Sequence, residues 1–314
     1  MQQRLAAIDI GSNSTRLLVA EAKGSVLVPI YQDQITTRLG QGSGGDSRRL
    51  LASAMERTAA AVAKFYRQAQ DLGAQVVRLF GTSALREADN QEEFRLLVES
   101  KVGLKPEVLS GTKEAYLTYI GAVRALSLTQ PAVIIDVGGG STEIIWGRQY
   151  QVLSAVSLKL GAVRLAEKYL LSDPPTAAEW DEMTEFIWTQ LKEKLELLKG
   201  KVSQVVAVGG TATTIAAMEQ GLACYDRSKV QGYVVLRQRL ANLVQAVRLL
   251  PVAERRKLPG LQPERADIIP AGMAILNLAL TILDLPGFTV SDADLLLGSL
   301  YDFGFNTPAK KLLS

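Results

Sequence analysis

The 314-residue chain contains no histidine and a single cysteine, Cys224. Histidine is the commonest general base and the usual zinc ligand, so its absence leaves carboxylates, hydroxyls, Lys, Arg or a hard metal ion for catalysis. One cysteine cannot form an internal disulfide. Since the N-terminal sequence also runs into a strand pattern without the hydrophobic region of a signal peptide, we expect a cytoplasmic protein.

The sequence also lacks a strong charge bias and a long hydrophobic run. It has 35 basic and 32 acidic residues, so no global field predicts a nucleic-acid or membrane partner, and any anion binding has to be local. The most apolar run, residues 271–285, is shorter than the ~20 residues of a membrane span and contains Asn277, which predicts a buried helix. With 47% hydrophobic residues, a chain of this length is expected to form two domains.

A repeated segment organises the chain. The sequence IDIGSNSTRLLV at 8–19 matches IDVGGGSTEIIW at 135–146 at five of twelve positions. Each copy follows a short apolar strand and continues into β-branched or leucine residues, so each loop is predicted to join a β-hairpin. The glycine loop of a dinucleotide-binding fold instead opens a helix, which argues against that fold. Strand-like runs and amphipathic helices follow each hairpin, so two similar β-meander-plus-helix halves are predicted.

The second copy combines residue types that bind phosphate with residue types that bind metal. Its glycines let backbone N–H groups approach phosphate oxygens, and its two hydroxyls add donors. The flanking acids, Asp136 and Glu143, would repel a phosphate unless a cation lay between them, and Mg²⁺ that bridges carboxylate and phosphate resolves this conflict. For one copy alone, the alternative is a glycine-rich hairpin with solvated acids at its ends. The duplication favours a functional role.

A third glycine turn lies in the sequence VVAVGGTATTIAAM at 205–218. This pattern predicts a strand, a Gly-Gly-Thr turn and a helix whose N-terminal N–H groups could receive an anion. The alternative is a tight turn that closes a sheet. Two halves that each carry an Asp-x-Gly loop resemble the actin, sugar kinase and Hsp70 superfamily, in whose ATP-using members the comparable turn serves the nucleotide.

Six segments of the sequence resemble one family in particular. They are GTSALREADN (81–90), LSGTKEAYL (109–117), IDVGGGSTEI (135–144), LKLGAVRLAEKYL (158–170), AVGGTATTIAAM (207–218) and LPGLQPERADIIPAG (258–272). Their order is that of the exopolyphosphatase/guanosine pentaphosphate phosphohydrolase (Ppx/GppA) family, and the match covers almost the whole chain. The chain resembles the short form of this family, since the sequence stops at Ser314 without the C-terminal helical domain that long members add.

The resemblance implies an α/β protein with two actin-like, ribonuclease H-like domains and an active site in the interdomain cleft. We expect domain I over residues 1–123, with the last helix, 298–314, returning to it, and domain II over residues 124–297. The implied activity is hydrolysis of the terminal phosphoanhydride bond of inorganic polyphosphate, with release of orthophosphate and dependence on Mg²⁺ or another divalent cation. The alternative activity that the resemblance leaves open is that of a guanosine pentaphosphate 5′-phosphatase, and a homodimer is expected.

The functional positions of the family fall on specific residues of this sequence. Glu114 matches the glutamate that is proposed to activate water. Asp136 and Glu143 match positions linked to metal and catalysis, and Asp9 is a third expected metal ligand. The residues expected to bind phosphate are Gly11, Ser12, Asn13, Ser14, Arg16, Arg86, Gly138, Gly139, Gly140, Ser141, Thr142, Gly209, Gly210, Thr211 and Arg265.

Several of these residues also have plain structural interpretations. Glu114 is predicted in the first turn of a helix, where an acid is stabilising in any protein. Arg86 and Arg265 could form ordinary surface ion pairs, for instance Arg265 with Glu264 or Asp267. Two other functions stay open on these residues: an ATP-dependent kinase with its nucleotide at the third turn, and a non-catalytic sensor that binds guanosine tetraphosphate through arginines.

Four departures from the family pattern bear on substrate preference. Lys113 stands where members usually have an acid, and Tyr116 takes an often basic position. Gln231 replaces a histidine, and the sequence LLLG at 295–298 replaces LREG. Polar contacts at these positions are expected to be lost, which affects chain-length preference and turnover rather than the core loops.

Overall fold

The computed structural model describes residues 3–24, 26–41 and 48–304. The chain divides into two compact units: unit 1 is Met1–Gly121 with Ala293–Ser314, and unit 2 is Ala122–Asp292. Each unit contains one mixed β-sheet with helices packed against it. The predicted fold class, α/β with two similar halves, is therefore confirmed.

The described residues form eleven strands, twelve α-helices and a 3-10 turn at Pro263–Arg265. The strands are β1 (Arg4–Ile10), β2 (Ser14–Lys23), β3 (Val26–Thr36), β4 (Val76–Gly81), β5 (Glu107–Val108), β6 (Ala132–Val137), β7 (Thr142–Arg148), β8 (Gln151–Leu158), β9 (Val205–Val208), β10 (Val234–Leu236) and β11 (Gly287–Ser291). The helices are α1 (Ala52–Asp71), α2 (Ser83–Glu87), α3 (Gln91–Val102), α4 (Gly111–Leu126), α5 (Ala162–Tyr169), α6 (Ala177–Glu196), α7 (Gly209–Glu219), α8 (Arg227–Val230), α9 (Arg237–Arg248), α10 (Val252–Arg255), α11 (Ile269–Leu283) and α12 (Leu295–Gly304).

The sheet of unit 1 has the strand order β3-β2-β1-β4-β5. Strands β1 to β3 form an antiparallel meander, and β4 extends the sheet parallel to β1. Every second residue of β1, namely Ala6, Ile8 and Ile10, joins a buried cluster with apolar residues of α1 and α3 such as Phe65 and Phe94. Side chains alternate between the faces of a strand, so this cluster forms one side of the sheet.

The sheet of unit 2 has the strand order β10-β11-β9-β6-β7-β8. It repeats the meander of unit 1 in β6 to β8, and β9 and β11 extend it in parallel. Helix α11 is buried along most of its length and packs in the core of this unit, which confirms the helix predicted for residues 271–285. Within the described ranges, no helix has both the length and the apolarity that a membrane span requires.

The two copies of the repeat fold in the same way. The Gly11 N–H donates to the carbonyl oxygen of Ser14 at 3.0 Å, and the Gly138 N–H donates to that of Ser141 at 2.9 Å. Both predicted hairpins are therefore confirmed, and each is closed by an equivalent turn. As a result, Asp9 lies opposite Arg16 in unit 1, and Asp136 lies opposite Glu143 in unit 2.

Candidate active site

Glu114 is a buried carboxyl group in the first turn of α4. Its side chain is 8% exposed, and Arg86 Nη1 donates to its Oε2 atom at 2.8 Å. The same Nη1 atom donates to the carbonyl oxygen of Leu109 at 2.9 Å, which fixes the guanidinium. Burial raises the pKa of Glu114 to about 7, against the lowering effect of Arg86. A carboxyl group that titrates near neutral pH and is held in one position is suited to act as a general base.

The position of Glu114 in the first turn is as predicted, but helix stabilisation alone does not account for its environment. An acid that serves only the helix dipole stabilises the helix in its ionised form. Burial of Glu114 instead favours its neutral form. Its contact with Arg86 also joins two residues that the sequence suggested separately as base and phosphate ligand.

The first hairpin of unit 1 contains a buried ion-pair network. Arg16 Nε and Nη2 donate to Asp9 Oδ2 at 3.0 and 2.6 Å, and Arg16 Nη1 donates to Asp294 Oδ2. Burial raises the pKa of Asp9 even though Arg16 opposes this. The acids Asp294 and Asp9 raise the pKa of Arg16 despite its burial, so the guanidinium stays charged. The Asp9 Oδ2 atom is therefore paired with Arg16. Of the two carboxylate oxygens, only the buried Oδ1 atom, which has no hydrogen-bond partner, could bind a cation.

The remaining predicted residues of the first loop are buried by the chain that follows β3. The carbonyl oxygen of Asn13 accepts hydrogen bonds from the N–H groups of Thr37 and Arg38 at 3.0 and 2.8 Å. The carbonyl oxygen of Ser12 accepts one from Gly40 at 2.9 Å. The loop thus has a fixed backbone, and its polar side chains are mostly enclosed.

The second hairpin, in unit 2, carries two acids where the first carries an acid and an arginine. Asp136 and Glu143 are direct cross-strand neighbours, in the register that pairs Asp9 with Arg16 in unit 1. Glu143 is 1% exposed, and Ser157 Oγ donates to its Oε1 atom at 2.6 Å. Like charges opposite each other on a sheet are destabilising. A cation bound at this pair would relieve the repulsion.

The glycine loop between these acids is fastened to helix α5. The N–H groups of Ala162 and Val163 donate to the carbonyl oxygens of Gly138 and Gly139, each at 2.9 Å. Among the backbone hydrogen bonds of the described residues, none uses the N–H of Gly139 or Gly140. The carbonyl oxygens of Gly138 and Gly139 therefore accept hydrogen bonds within the protein, whereas the N–H groups of Gly139 and Gly140 are available to bind an anion.

Two of the predicted phosphate-binding hydroxyls form hydrogen bonds within the protein. Thr142 is fully buried, and its hydroxyl donates to the carbonyl oxygen of Leu160. Thr211 is also buried, and its hydroxyl donates to the carbonyl oxygen of Val137 at 3.3 Å. The structure thus uses these hydroxyls to join the loops to neighbouring backbone, because a buried hydroxyl needs a partner.

The third glycine turn lies between an acid and an arginine. It follows β9 and opens α7, as predicted. Gly209 has a φ of +82°, and a Cβ there would lie 2.6 Å from Asp136 Oδ1. A Cβ on Gly210 would overlap the guanidinium of Arg265, which is 8% exposed and whose Nε atom donates to Gln262 Oε1 at 2.9 Å. Asp136, the turn and Arg265 are therefore neighbours, and burial distinguishes Arg265 from an ordinary surface ion pair.

The acids of unit 2 fit a hard divalent cation as part of its ligand set. Asp136 and Glu143 offer carboxylate oxygens, which Mg²⁺ prefers. Within the described part of the chain, no group of three or more acidic, cysteine or histidine side chains could enclose a metal ion. Mg²⁺ bound to proteins usually keeps several water ligands and contacts only one or two carboxylates, so this pair is compatible with such an ion.

Four residues that contact these groups were not singled out in the sequence. They are Asp294, which binds Arg16; Ser157, which binds Glu143; Arg164, which donates to the carbonyl oxygen of Gly140 at 3.1 Å; and Gly161, where a Cβ would overlap the backbone of Gly139 and Gly140. Gly161 and Arg164 lie in a segment that carried the family resemblance. Ser157 could be found only once the register of β7 and β8 was known.

Two of the departures from the family pattern have local structural uses. Leu296 and Leu297, which stand where polar residues are usual, are both buried in unit 1. Gln231 Oε1 accepts a hydrogen bond from the N–H of Asp292 at 2.7 Å. Leu296 and Leu297 thus contribute apolar packing in place of polar contacts, whereas Gln231 still forms a hydrogen bond.

Comparison with known proteins gives consistent similarities over the whole chain. The Ppx/GppA phosphatase family model matches residues 6–304. Exopolyphosphatase 2 of Mycobacterium tuberculosis is 33% identical over 94% of this chain and 97% of its own length. The crystal structure of the Aquifex aeolicus member of the Ppx/GppA family is 32% identical over 96% of this chain and 97% of that chain, with a TM-score of 0.81. The crystal structure of an exopolyphosphatase-like protein is 30% identical over 100% and 99% of the two chains, with a TM-score of 0.90.

Proposed function

The chain belongs to the Ppx/GppA phosphatase family and is a phosphoanhydride hydrolase, and we propose that its substrate is inorganic polyphosphate. In this proposal it cleaves the terminal phosphoanhydride bond and releases orthophosphate. The observation that carries the proposal is the environment of Glu114, a buried carboxyl group with a pKa of about 7 whose position is fixed by Arg86. The similarity to exopolyphosphatase 2 supports the choice of substrate.

Each part of the proposed reaction has a group to perform it. Ionised Glu114 accepts a proton from water, and the water oxygen forms a bond to the terminal phosphorus while the bond to the bridging oxygen breaks. The shortened chain leaves with the electron pair of that bond. The Gly139 and Gly140 N–H groups and Arg265 bind phosphate oxygens.

A divalent cation is part of the proposal. Asp136 and Glu143 would hold it, and it would neutralise negative charge on the carboxylates and on the phosphate. The position of these two acids opposite each other on the hairpin supports this assignment, because carboxylate oxygens are ligands that Mg²⁺ prefers.

The function is tested by measuring orthophosphate release from polyphosphate, guanosine pentaphosphate and ATP, each with Mg²⁺ and with EDTA. We expect release from polyphosphate that requires Mg²⁺. Release from guanosine pentaphosphate alone would replace the proposed substrate. Consumption of ATP only when a phosphate acceptor is present would indicate a kinase.

The pH dependence of hydrolysis should follow the ionisation of Glu114. Its pKa is raised to about 7, so below this pH the carboxyl group is protonated and cannot accept a proton from water. We therefore expect kcat/KM for polyphosphate to rise as the pH increases through about 7. The measurement is a kcat/KM profile at constant ionic strength, with folding checked by circular dichroism at each pH. A profile that is flat between pH 6 and 8, or that falls with increasing pH, would contradict the assignment.

A further inference from the structure

Helix α12 and the part of α4 that belongs to unit 1 meet along two rows of residues. Residues four apart lie on the same face of a helix. The row on α4 consists of Lys113, Leu117 and Gly121, and the row that begins just before α12 consists of Asp294, Gly298 and Asp302. Lys113 contacts Asp302, and Gly121 contacts Asp294, so the two helices run antiparallel. Glu114 is the next residue after Lys113.

The centre of this contact has no room for side chains. A Cβ on Gly298 would overlap the carbonyl oxygen of Leu117 and would lie 3.1 Å from the backbone nitrogen of Gly121. A Cβ on Gly121 would overlap the carbonyl oxygen of Asp294. The backbones of the two helices therefore touch, and glycine is required at both positions.

An ion pair closes the contact beside Glu114. Lys113 Nζ lies 2.7 Å from Asp302 Oδ2, and the ammonium group also lies over the ring of Tyr116 at 5.2 Å. Lys113 and Tyr116 are two of the departures from the family pattern. Their joint contact links the first turn of α4, which carries Glu114, to the far end of α12.

Helix α12 is itself fixed to several strands of the sheet. The N–H of Leu27 in β3 donates to Tyr301 Oη at 3.0 Å. Arg78 Nη1 in β4 donates to the carbonyl oxygen of Ser299 at 3.1 Å. Asp294 binds Arg16 of β2. A helix with these anchors provides a rigid support for its neighbour.

We propose that α12 positions the catalytic helix α4, with Gly298 and the Lys113–Asp302 pair acting as positioning residues for Glu114. This inference rests on the proposed function of Glu114. The inference goes beyond that function because Gly298, Lys113 and Asp302 are assigned a role without contact with the reacting atoms. Displacement of a catalytic group by about 1 Å is enough to lower a rate by about 10²-fold.

The test compares variants that remove the support with variants that keep it. Lys113→Met and Asp302→Asn break the ion pair, whereas Lys113→Arg retains it. The matched control is Lys257→Met, which breaks a Lys–Glu pair of the same length, 2.7 Å, with Glu254 in unit 2. Gly298→Ala forces the two helices apart, and circular dichroism establishes whether it still folds.

Two readouts are used, kcat and KM for polyphosphate and the hydrogen exchange of the backbone amides of α4. We expect Lys113→Met and Asp302→Asn to lower kcat about 3- to 10-fold with little change in KM, and Gly298→Ala, if folded, to lower it about 10²-fold. Hydrogen exchange in the first turns of α4 should increase in the same variants. Lys113→Arg and Lys257→Met should resemble wild type in both readouts.

The readouts separate failure of this inference from failure of the proposed function. If wild type releases no orthophosphate, the proposed function fails, and exchange in α4 still reports whether α12 holds the helix. If wild type is active and Lys113→Met and Asp302→Asn leave kcat unchanged, the positioning inference is wrong, whatever the exchange rates. An equal loss of kcat in Lys257→Met would also overturn it, because the effect would then not be specific to this contact.

Discussion

Glu114→Gln is expected to release orthophosphate from polyphosphate ~10²–10⁴-fold more slowly than wild type, the range for loss of a general base. The amide keeps the shape of the side chain and its hydrogen bond from Arg86, but it cannot accept a proton from water. Substrate binding should therefore be retained. The measurements are kcat by phosphate release and the dissociation constant of polyphosphate by calorimetry.

The matched control for this variant is Glu179→Gln. Glu179 lies in the first turn of α6, where its carboxylate accepts a hydrogen bond from the N–H of Thr176 at 2.8 Å, so it has the helix-stabilising role considered above for Glu114. This variant should affect stability and leave kcat unchanged. A Glu114→Gln protein with normal kcat and a lower free energy of unfolding would show that Glu114 has the same structural role.

Glu114→Gln should also change how stability depends on pH. A carboxyl group whose pKa is raised by folding contributes stability at low pH, and this contribution is lost as the pH rises through the folded value, here about 7. As the pH rises from about 4.5, the ordinary pKa of a glutamate, to about 7, the free energy of unfolding of wild type should therefore fall more than that of the variant.

Asp136→Asn and Glu143→Gln should each lower the rate of polyphosphate hydrolysis by about 10²–10³-fold, the cost of removing one electrostatic contact to a transition state. Each change removes one of the two carboxylates proposed to hold a divalent cation. Wild type should show a rise in melting temperature on addition of Mg²⁺, and both variants should lose most of it. The measurements are phosphate release and thermal unfolding over a Mg²⁺ titration.

The control for these variants is Glu254→Gln, which removes an exposed acid of unit 2. It should keep both the activity and the stabilisation by Mg²⁺. Full activity of Asp136→Asn at saturating Mg²⁺ would refute the assignment of this acid to the metal, and an undiminished rise in melting temperature would place the ion elsewhere.

Local patterns predicted the elements that carry the site. The two Asp-x-Gly hairpins, the third glycine turn and the first-turn position of Glu114 all follow from residues that are close in sequence. These elements form as predicted because strand alternation, glycine turns and helix starts depend mainly on neighbouring residues.

Contacts between distant segments could not be predicted in this way. Arg86 and Glu114 are 28 residues apart, and Arg16 and Asp294 are 278 apart. Such pairs depend on how the sheet is assembled, which no local pattern specifies. Burial is equally hard to infer, and for that reason the hydroxyl of Thr142 was expected to face phosphate although it binds the backbone inside the protein.

The late position of α12 in the sequence has a consequence for how the chain folds during synthesis. Unit 2 is one continuous stretch, Ala122–Asp292, so the ribosome delivers all of it before α12 emerges. Leu5 and Ala7 of β1 alternate with the residues that face α1 and α3, and α12 packs against this strand. In a nascent chain, unit 2 is therefore complete while the sheet of unit 1 still lacks the helix that packs against β1. An arrest of translation within this interval would leave apolar surface open to aggregation.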